Sequence, residues 1–201
     1  MGSYYYLAAQ LPYLVYGQGA PMSSAAFKDL ARDKMSSADA AVLDFCTLDP
    51  EPLAAEAAAS AGPTYAERPP RTPSEFVNRW KEWERALRLN LARNRAQKLK
   101  RGESSGRDAA NVADAPDYPA DAAAVAKNAQ TIESPLEAEI FLDKARWDAI
   151  ENFQGISTFS ENAIYAYLLK LLLMERRVAF KTEEGFTEYK ALYAAILGEA
   201  K

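Results

Sequence analysis

Hydrophobic positions in the middle of the chain recur with the period of an α-helix. They fall four, three, four and four residues apart, at Phe76, Trp80, Trp83, Leu87 and Leu91. Ahead of them, Thr72-Pro73-Ser74-Glu75 has the pattern of a capping box with proline at the first helical position. Gly102 is a stop signal at the other end. The pattern therefore predicts one long helix over residues 73–101.

The C-terminal third repeats these signals. Ser134-Pro135-Leu136-Glu137 and Thr158-Phe159-Ser160-Glu161 are further capping boxes, each followed by apolar residues at helical spacing. The second of these helices is apolar nearly all round, which is typical of a central buried helix. A last helix is predicted to start at Thr182 and to end at Gly198. Residues 135–201 are thus expected to form an antiparallel three-helix bundle.

The rest of the chain carries weaker signals. Ser23 or Ser24 can cap one short helix and Ser37 another, whereas residues 4–16 fit either a strand or an irregular helix start. Residues 102–134 are rich in Ala and Asp and poor in large apolar side chains, so they are expected to form a flexible, at most loosely helical linker. The prediction is an all-α helical bundle with an N-terminal part over 1–101. It leaves open whether the parts pack as one domain.

Composition removes whole classes of enzyme. The chain has no histidine and one cysteine, Cys46, which excludes histidine-dependent nucleophilic catalysis, histidine-ligated zinc and an internal disulfide. Cys46 follows apolar residues at helical spacing and is expected to be a buried, inert thiol.

Short motifs with catalytic associations have plainer explanations. Gly102-Glu103-Ser104-Ser105-Gly106 matches G-x-S-x-G but lacks a preceding strand and a histidine, and Gly17-Gln18-Gly19 lacks the third glycine of a dinucleotide fingerprint. Glu137 and Glu139 belong to a predicted helix start, where acidic groups suit the helix dipole. We therefore expect no catalytic, cofactor-binding or metal-binding residues, and a protein that is not an enzyme.

Charge is distributed unevenly. The net charge is -4, yet residues 67–101 carry 11 basic and 4 acidic side chains. Docking on an acidic protein surface would use this helix, and the expected partner-binding residues are Arg79, Arg85, Arg88, Arg93 and Arg95. A solvated helix face and a nucleic-acid contact are the alternatives. Stable nucleic-acid binding is not expected, because the basic positions encircle the helix and the tryptophans keep core spacing.

Membrane and export signals are weak. The first residues carry no basic group ahead of their apolar stretch, and Pro12 breaks that stretch. The most apolar segment, 163–174, has 12 residues and includes Lys170, whereas a membrane span needs about 20 residues. We expect a cytoplasmic protein that does not cross a bilayer by itself.

Three segments resemble a known family. Tyr5-Tyr6-Leu7-Ala8-Ala9-Gln10-Leu11 resembles the N-terminal aromatic-x-Tyr-Leu-x-Ala-Arg pattern of the central-stalk subunit of V/A-type rotary ATPases, with Gln10 one place away from the usual arginine. The segment 87–94 resembles the Arg/Asn/Leu-rich helix of that family. The segment 159–186 is similar to a short bacterial branch encoded beside the genes of V-type ATPases.

This resemblance implies a structural role without chemistry. In that family the central-stalk protein is a socket between the central shaft of the soluble motor and the proteolipid ring. By resemblance, this chain is expected to be a non-catalytic coupling subunit without cofactors, peripheral at the inner membrane through its partners. It is shorter than the classical central-stalk protein, which is built from three related helical segments. A generic helical scaffold or adaptor is the alternative, and a nucleic-acid-binding protein the less favoured one.

Overall fold

The computed structural model describes residues 4–49, 71–100 and 120–178. Within these ranges the chain forms seven α-helices, one 3-10 helix at Leu43–Phe45 and no β-sheet, which confirms the all-α prediction. The helices are α1 (Tyr5–Gln10), α2 (Ser24–Lys34), α3 (Ser37–Val42), α4 (Glu75–Lys100), α5 (Ala120–Ala129), α6 (Pro135–Gln154) and α7 (Glu161–Val178).

The long basic helix is α4, and it begins slightly later than predicted. The Ser74 hydroxyl accepts a hydrogen bond from the Val77 amide at 3.3 Å, so Ser74 is the cap and Pro73 precedes the helix. Thr72, the expected cap, instead donates its hydroxyl to Asn78 Oδ1 at 2.9 Å. This side-chain contact six residues away holds Thr72 outside the helix and shifts the first turn by two residues.

The start of α6 agrees with the sequence prediction, whereas the start of α7 does not. Ser134 caps α6 as predicted, accepting from the Glu137 amide with Pro135 at the first helical position, and Gly155 ends the helix with φ +75°. Helix α7 begins only at Glu161, and the Ser160 hydroxyl donates to the Ser157 carbonyl at 3.2 Å. Thr158, the predicted cap, is therefore not the residue that precedes the first turn of α7.

The segment 120–129 is a packed helix, although the sequence predicts a flexible linker over residues 102–134. Ala122, Ala126 and Ala129 of α5 are buried in the main core, and α5 packs against α4. Alanine side chains are small enough to let two helix backbones approach closely, so a helix needs few large apolar residues to be buried here. Residues 102–119 of the predicted linker lie outside the described residues.

One hydrophobic core joins the helices. Helix α4 packs against α5 and α6, α6 against α7, and α7 against α2. The apolar face predicted for α4 is buried along its whole length, and α7 lines the centre through Ile164, Leu168 and Leu171. The N-terminal and C-terminal parts therefore share one core. The predicted helix over 182–198 lies outside the described residues.

Polar contacts fix the N-terminal helices on this core. The Glu175 carboxylate of α7 accepts from the Ser24 amide at 2.6 Å and from the Ser24 hydroxyl at 2.7 Å, at the start of α2. Ser23 caps α2, as predicted, and Ser36 caps α3, one residue before the predicted Ser37. Residues 5–10 form the short helix α1 and contain no strand.

Candidate functional site

The five arginines predicted to bind a partner lie in different environments along α4. Arg79 and Arg95 are exposed, and the guanidinium of Arg79 stacks over the Phe153 ring at 5.2 Å. Arg93 is half-buried and has a partner within the chain. Of these three arginines, Arg79 and Arg95 are therefore the more accessible to a partner.

Arg85 and Arg88 are paired inside the protein. Arg85 is 6% exposed and bonds Glu82, at 3.2 Å between Nη2 and Oε1. Arg88 donates to Glu84 at 2.8 Å and to Asp49 at 2.7 Å. Arg85 is paired with a carboxylate that is 26% exposed, and Arg88 with the buried Glu84 and the exposed Asp49, so both have less charge to offer a docking protein than Arg79 and Arg95.

A buried ion-pair network links α4 to α6. Arg146 contacts Glu84 through Nε and Nη2, at 3.0 and 3.1 Å, and Asp143 through Nη1 at 2.9 Å. Glu84 is fully buried, and the side chains of Arg146 and Asp143 are 5% and 3% exposed. Arg176 of α7 completes the network through Glu139 at 2.9 Å and Asp143 at 3.8 Å. Three helices are thus joined by charged groups, of which Glu84, Arg146 and Asp143 are removed from water, whereas Arg176 and Glu139 are partly exposed.

Burial and charge act in opposite directions in this network. Burial raises the pKa of Asp143, and the neighbouring charges of Arg176 and Arg146 only partly oppose it. Burial lowers the pKa of Arg146, but the charges and hydrogen bonds of Glu84 and Asp143 together outweigh burial, and the pKa is raised overall. Arg146 therefore remains charged, while Asp143 Oδ2 has no hydrogen-bond partner.

A cleft of about 590 Å³ opens beside the network, between α4, α6, α7 and the chain at Leu48 and Asp49. Its charged lining consists of four guanidinium groups and two carboxylates: Arg88, Arg95, Arg146, Arg176, Asp49 and Glu139. Leu91 and Leu142 provide part of an apolar wall. Of the arginines predicted from the sequence, only Arg88 and Arg95 line the cleft.

Sequence reasoning missed the cleft because its walls come from distant segments. Glu84 and Arg146 are 62 residues apart, and no local spacing connects them. One signal was available: Glu84 follows Trp80 by four residues and precedes Leu87 by three, which places a carboxylate on the apolar face of α4. A charge at such a position requires a buried partner of opposite sign.

Aromatic and apolar side chains are exposed around α1 and the connection between α6 and α7. We call this surface the aromatic end; it consists of Tyr5, Tyr6, Tyr13, Ile156 and Phe159. The Tyr5 and Phe159 rings are 4.4 Å apart, and the Tyr4 amide donates to the Phe159 carbonyl at 2.8 Å.

The aromatic end groups several exposed apolar side chains, whereas exposed apolar residues usually occur singly on a protein surface. Tyr6, Tyr13 and Ile156 are 86%, 89% and 101% exposed. Tyr13 and Thr158 line a common cavity of about 240 Å³, which places the two segments side by side. Grouped exposed apolar side chains are typical of contact surfaces.

Cys46 is buried and free, as predicted. Burial raises the pKa of its thiol to about 12, so the thiol is protonated and unreactive at neutral pH. Burial also lowers the pKa of Lys81, whose ammonium group lies 5.3 Å from the Phe45 ring. This environment suppresses the nucleophilic chemistry of Cys46.

The remaining sequence motifs lie in a turn, at the start of a helix or outside the described residues. Gly17 forms a turn with φ +90°, as expected for the Gly17-Gln18-Gly19 segment. Glu137 lies in the first turn of α6, as predicted, while the segment 102–106 lies outside the described residues. No cluster of potential metal ligands occurs in residues 4–49, 71–100 and 120–178. No helix in those ranges combines the length and apolarity needed to cross a bilayer.

Comparison with known proteins identifies a family. A family model described as "Protein of unknown function (DUF2764)" matches residues 62–199, which is more than half of the chain. This match includes α4, α5, α6 and α7, with the whole ion-pair network and the cleft lining except Leu48 and Asp49. No curated protein and no solved structure matches the chain. The chain belongs to the DUF2764 family of proteins of unknown function.

Proposed function

We propose that this protein is a non-catalytic structural coupling subunit of a bacterial V-type ATPase, linking the central shaft to the membrane rotor ring. The observation that supports it best is the meeting of two segments that resemble the central-stalk family. Residues 5–11 and the segment beginning at Phe159 are far apart in sequence. They are in contact through the Tyr4–Phe159 hydrogen bond and the Tyr5–Phe159 ring pair.

The aromatic end provides a surface for this role. Its exposed tyrosines are large, rigid and amphipathic, properties that are enriched at protein interfaces. Because α1 and the start of α7 are anchored on the common core, a force applied to this surface would pass directly into the bundle. We assign partner binding first to the aromatic end, and to Arg79 and Arg95 on α4 as exposed basic positions.

The internal charges support a role in holding shape. The network of Glu84, Arg146 and Asp143 joins α4 to α6, and Arg176 extends it to α7. Such pairs are sensitive to geometry and specify how helices sit relative to one another. In this proposal the protein carries out no reaction and reaches the cytoplasmic side of the inner membrane through its partners.

Affinity purification from the native host tests the proposal. The full chain is expected to co-purify with shaft or proteolipid-ring proteins of the V-type ATPase at low ionic strength. The double variant Tyr6→Ser with Ile156→Ser is expected to lose most of this recovery, since it removes two exposed apolar contacts.

A matched control is Val178→Ser at the far end of α7, where the side chain is 54% exposed. This variant should recover the partners as the parent does. Failure of the parent chain to recover any ATPase component would contradict the proposal and favour a generic helical adaptor. Equal losses with the control would contradict the assignment to the aromatic end.

A further inference from the structure

The geometry points to the cleft beside the ion-pair network as a binding site for the phosphate group of a small organic phosphate. The cleft and the aromatic end share no lining residue, so this inference is independent of the proposed function. Its volume of about 590 Å³ falls within the range of small-molecule sites, about 300–1,000 Å³.

Arg146 lines the cleft and has hydrogen-bond donors that its ion pairs do not use. A guanidinium has five N–H donors. The bonds to Glu84 and Asp143 occupy Nε and one hydrogen on each terminal nitrogen of Arg146. Each terminal nitrogen keeps a second N–H with no acceptor among the described residues, in a side chain 5% exposed that lines the cleft. These donors are fixed in place by the carboxylates behind them.

Charged side chains make up much of the lining of the cleft. Four guanidinium groups face two carboxylates around the cleft. With Glu84 and Asp143 behind the lining, the four guanidinium groups are matched by four carboxylates, but Arg95 forms no ion pair with a carboxylate among the described residues and supplies the positive charge that remains available. An anion in the cleft therefore has access to the guanidinium of Arg95 and to the remaining N–H donors of Arg146, which line the same cavity.

Asp49 is a carboxylate of the lining that a ligand can displace. Its carboxylate contacts Arg88 at 2.7 Å, but its side chain is 69% exposed. An exposed ion pair contributes little to stability, so an arriving dianion can replace Asp49 on Arg88. Glu84 and the Leu48 carbonyl continue to hold Arg88 in position. The site thus gains a third guanidinium when the ligand binds.

The apolar wall selects an organic phosphate over the inorganic ion. Leu91 and Leu142 line the cleft together with its charged groups. A ligand with a phosphate at one end and a ring or short chain at the other can contact both surfaces. Phosphate is preferred over carboxylate because its second negative charge and third oxygen allow several arginines to bind at once.

Isothermal titration of the full chain with phenyl phosphate tests this site. Binding is expected, and it should be at least several-fold tighter than that of inorganic phosphate or benzoate. Arg95→Gln should weaken the binding of phenyl phosphate about tenfold, since it removes a charge-assisted contact. Asp49→Asn should strengthen it several-fold, because the competing negative charge is lost.

Arg79→Gln is the matched control, because Arg79 is an exposed arginine of the same helix outside the cleft. It should leave the affinity unchanged. The inference is overturned if the parent chain does not bind phenyl phosphate, or if Arg79→Gln and Arg95→Gln weaken binding equally. Benzoate binding as tightly as phenyl phosphate would overturn the assignment to phosphate.

Discussion

Glu84 is the residue on which the charged interior depends. It is fully buried, and it receives hydrogen bonds from both Arg88 and Arg146. Removing one member of such a buried group leaves the opposite charges without compensation, a larger effect than the loss of a surface pair.

Glu84→Gln is therefore expected to lower the free energy of unfolding by about 3 kcal/mol. The matched control is Asp148→Asn on α6, where the side chain is 49% exposed and pairs with the equally exposed Lys144. That change should cost less than about 1 kcal/mol. Urea unfolding followed by circular dichroism measures the free energy of unfolding of each variant. Equal losses would show that the buried network stabilises the protein no more than a surface ion pair does.

At the scale of the element, α5 is buried in the core through small alanine side chains. Ala122 and Ala126 are fully buried against the core, and Trp83 of α4 donates its indole N–H to Asp121 of α5 at 2.8 Å. Because Ala122 and Ala126 have no exposed surface, a larger side chain at either position requires its packed neighbours to move.

Ala122→Leu is accordingly expected to destabilise the protein by about 1–3 kcal/mol through overpacking. Ala124→Leu places the same side chain on the exposed face of the same helix and should change the stability by less than about 0.5 kcal/mol. Thermal unfolding of the two variants makes the comparison, and a tolerated Ala122→Leu would contradict the close packing of α4 and α5.

Elements with strong local signals were predictable, and those set by distant contacts were not. Ser134 and Pro135 identified the start of α6 because a cap acts within one turn. The start of α4 was misplaced because Asn78 holds Thr72 away from the helix. Helix α5 was missed because its burial depends on the surface of α4. The candidate cleft was inaccessible to sequence reasoning, since its walls meet only in the folded chain.

At the scale of the whole molecule, the shared core makes the bundle one cooperative unit. Helices α4 and α6 each carry tryptophan, whereas α2 and α7 carry none. Fluorescence therefore reports on α4 and α6, and far-ultraviolet circular dichroism on all the helices.

The two signals are expected to give the same midpoint in urea, because α2 and α7 cannot separate without opening the core around α4 and α6. Unfolding of one sample followed by both methods tests this. Two separate transitions would contradict a single core and favour independent N-terminal and C-terminal domains.

The three tryptophans have a practical consequence. Their indole N–H groups donate to three different acceptors: Trp80 to the Thr47 carbonyl, Trp83 to Asp121 and Trp147 to Glu151. In a proton–nitrogen correlation spectrum these groups should give three side-chain signals, each reporting on its own contact. Thr47 precedes the cleft residues Leu48 and Asp49, so the Trp80 signal reports from beside the cleft. Three resonances can thus follow the cleft, the α4–α5 contact and the C-terminal half of α6 in a single titration.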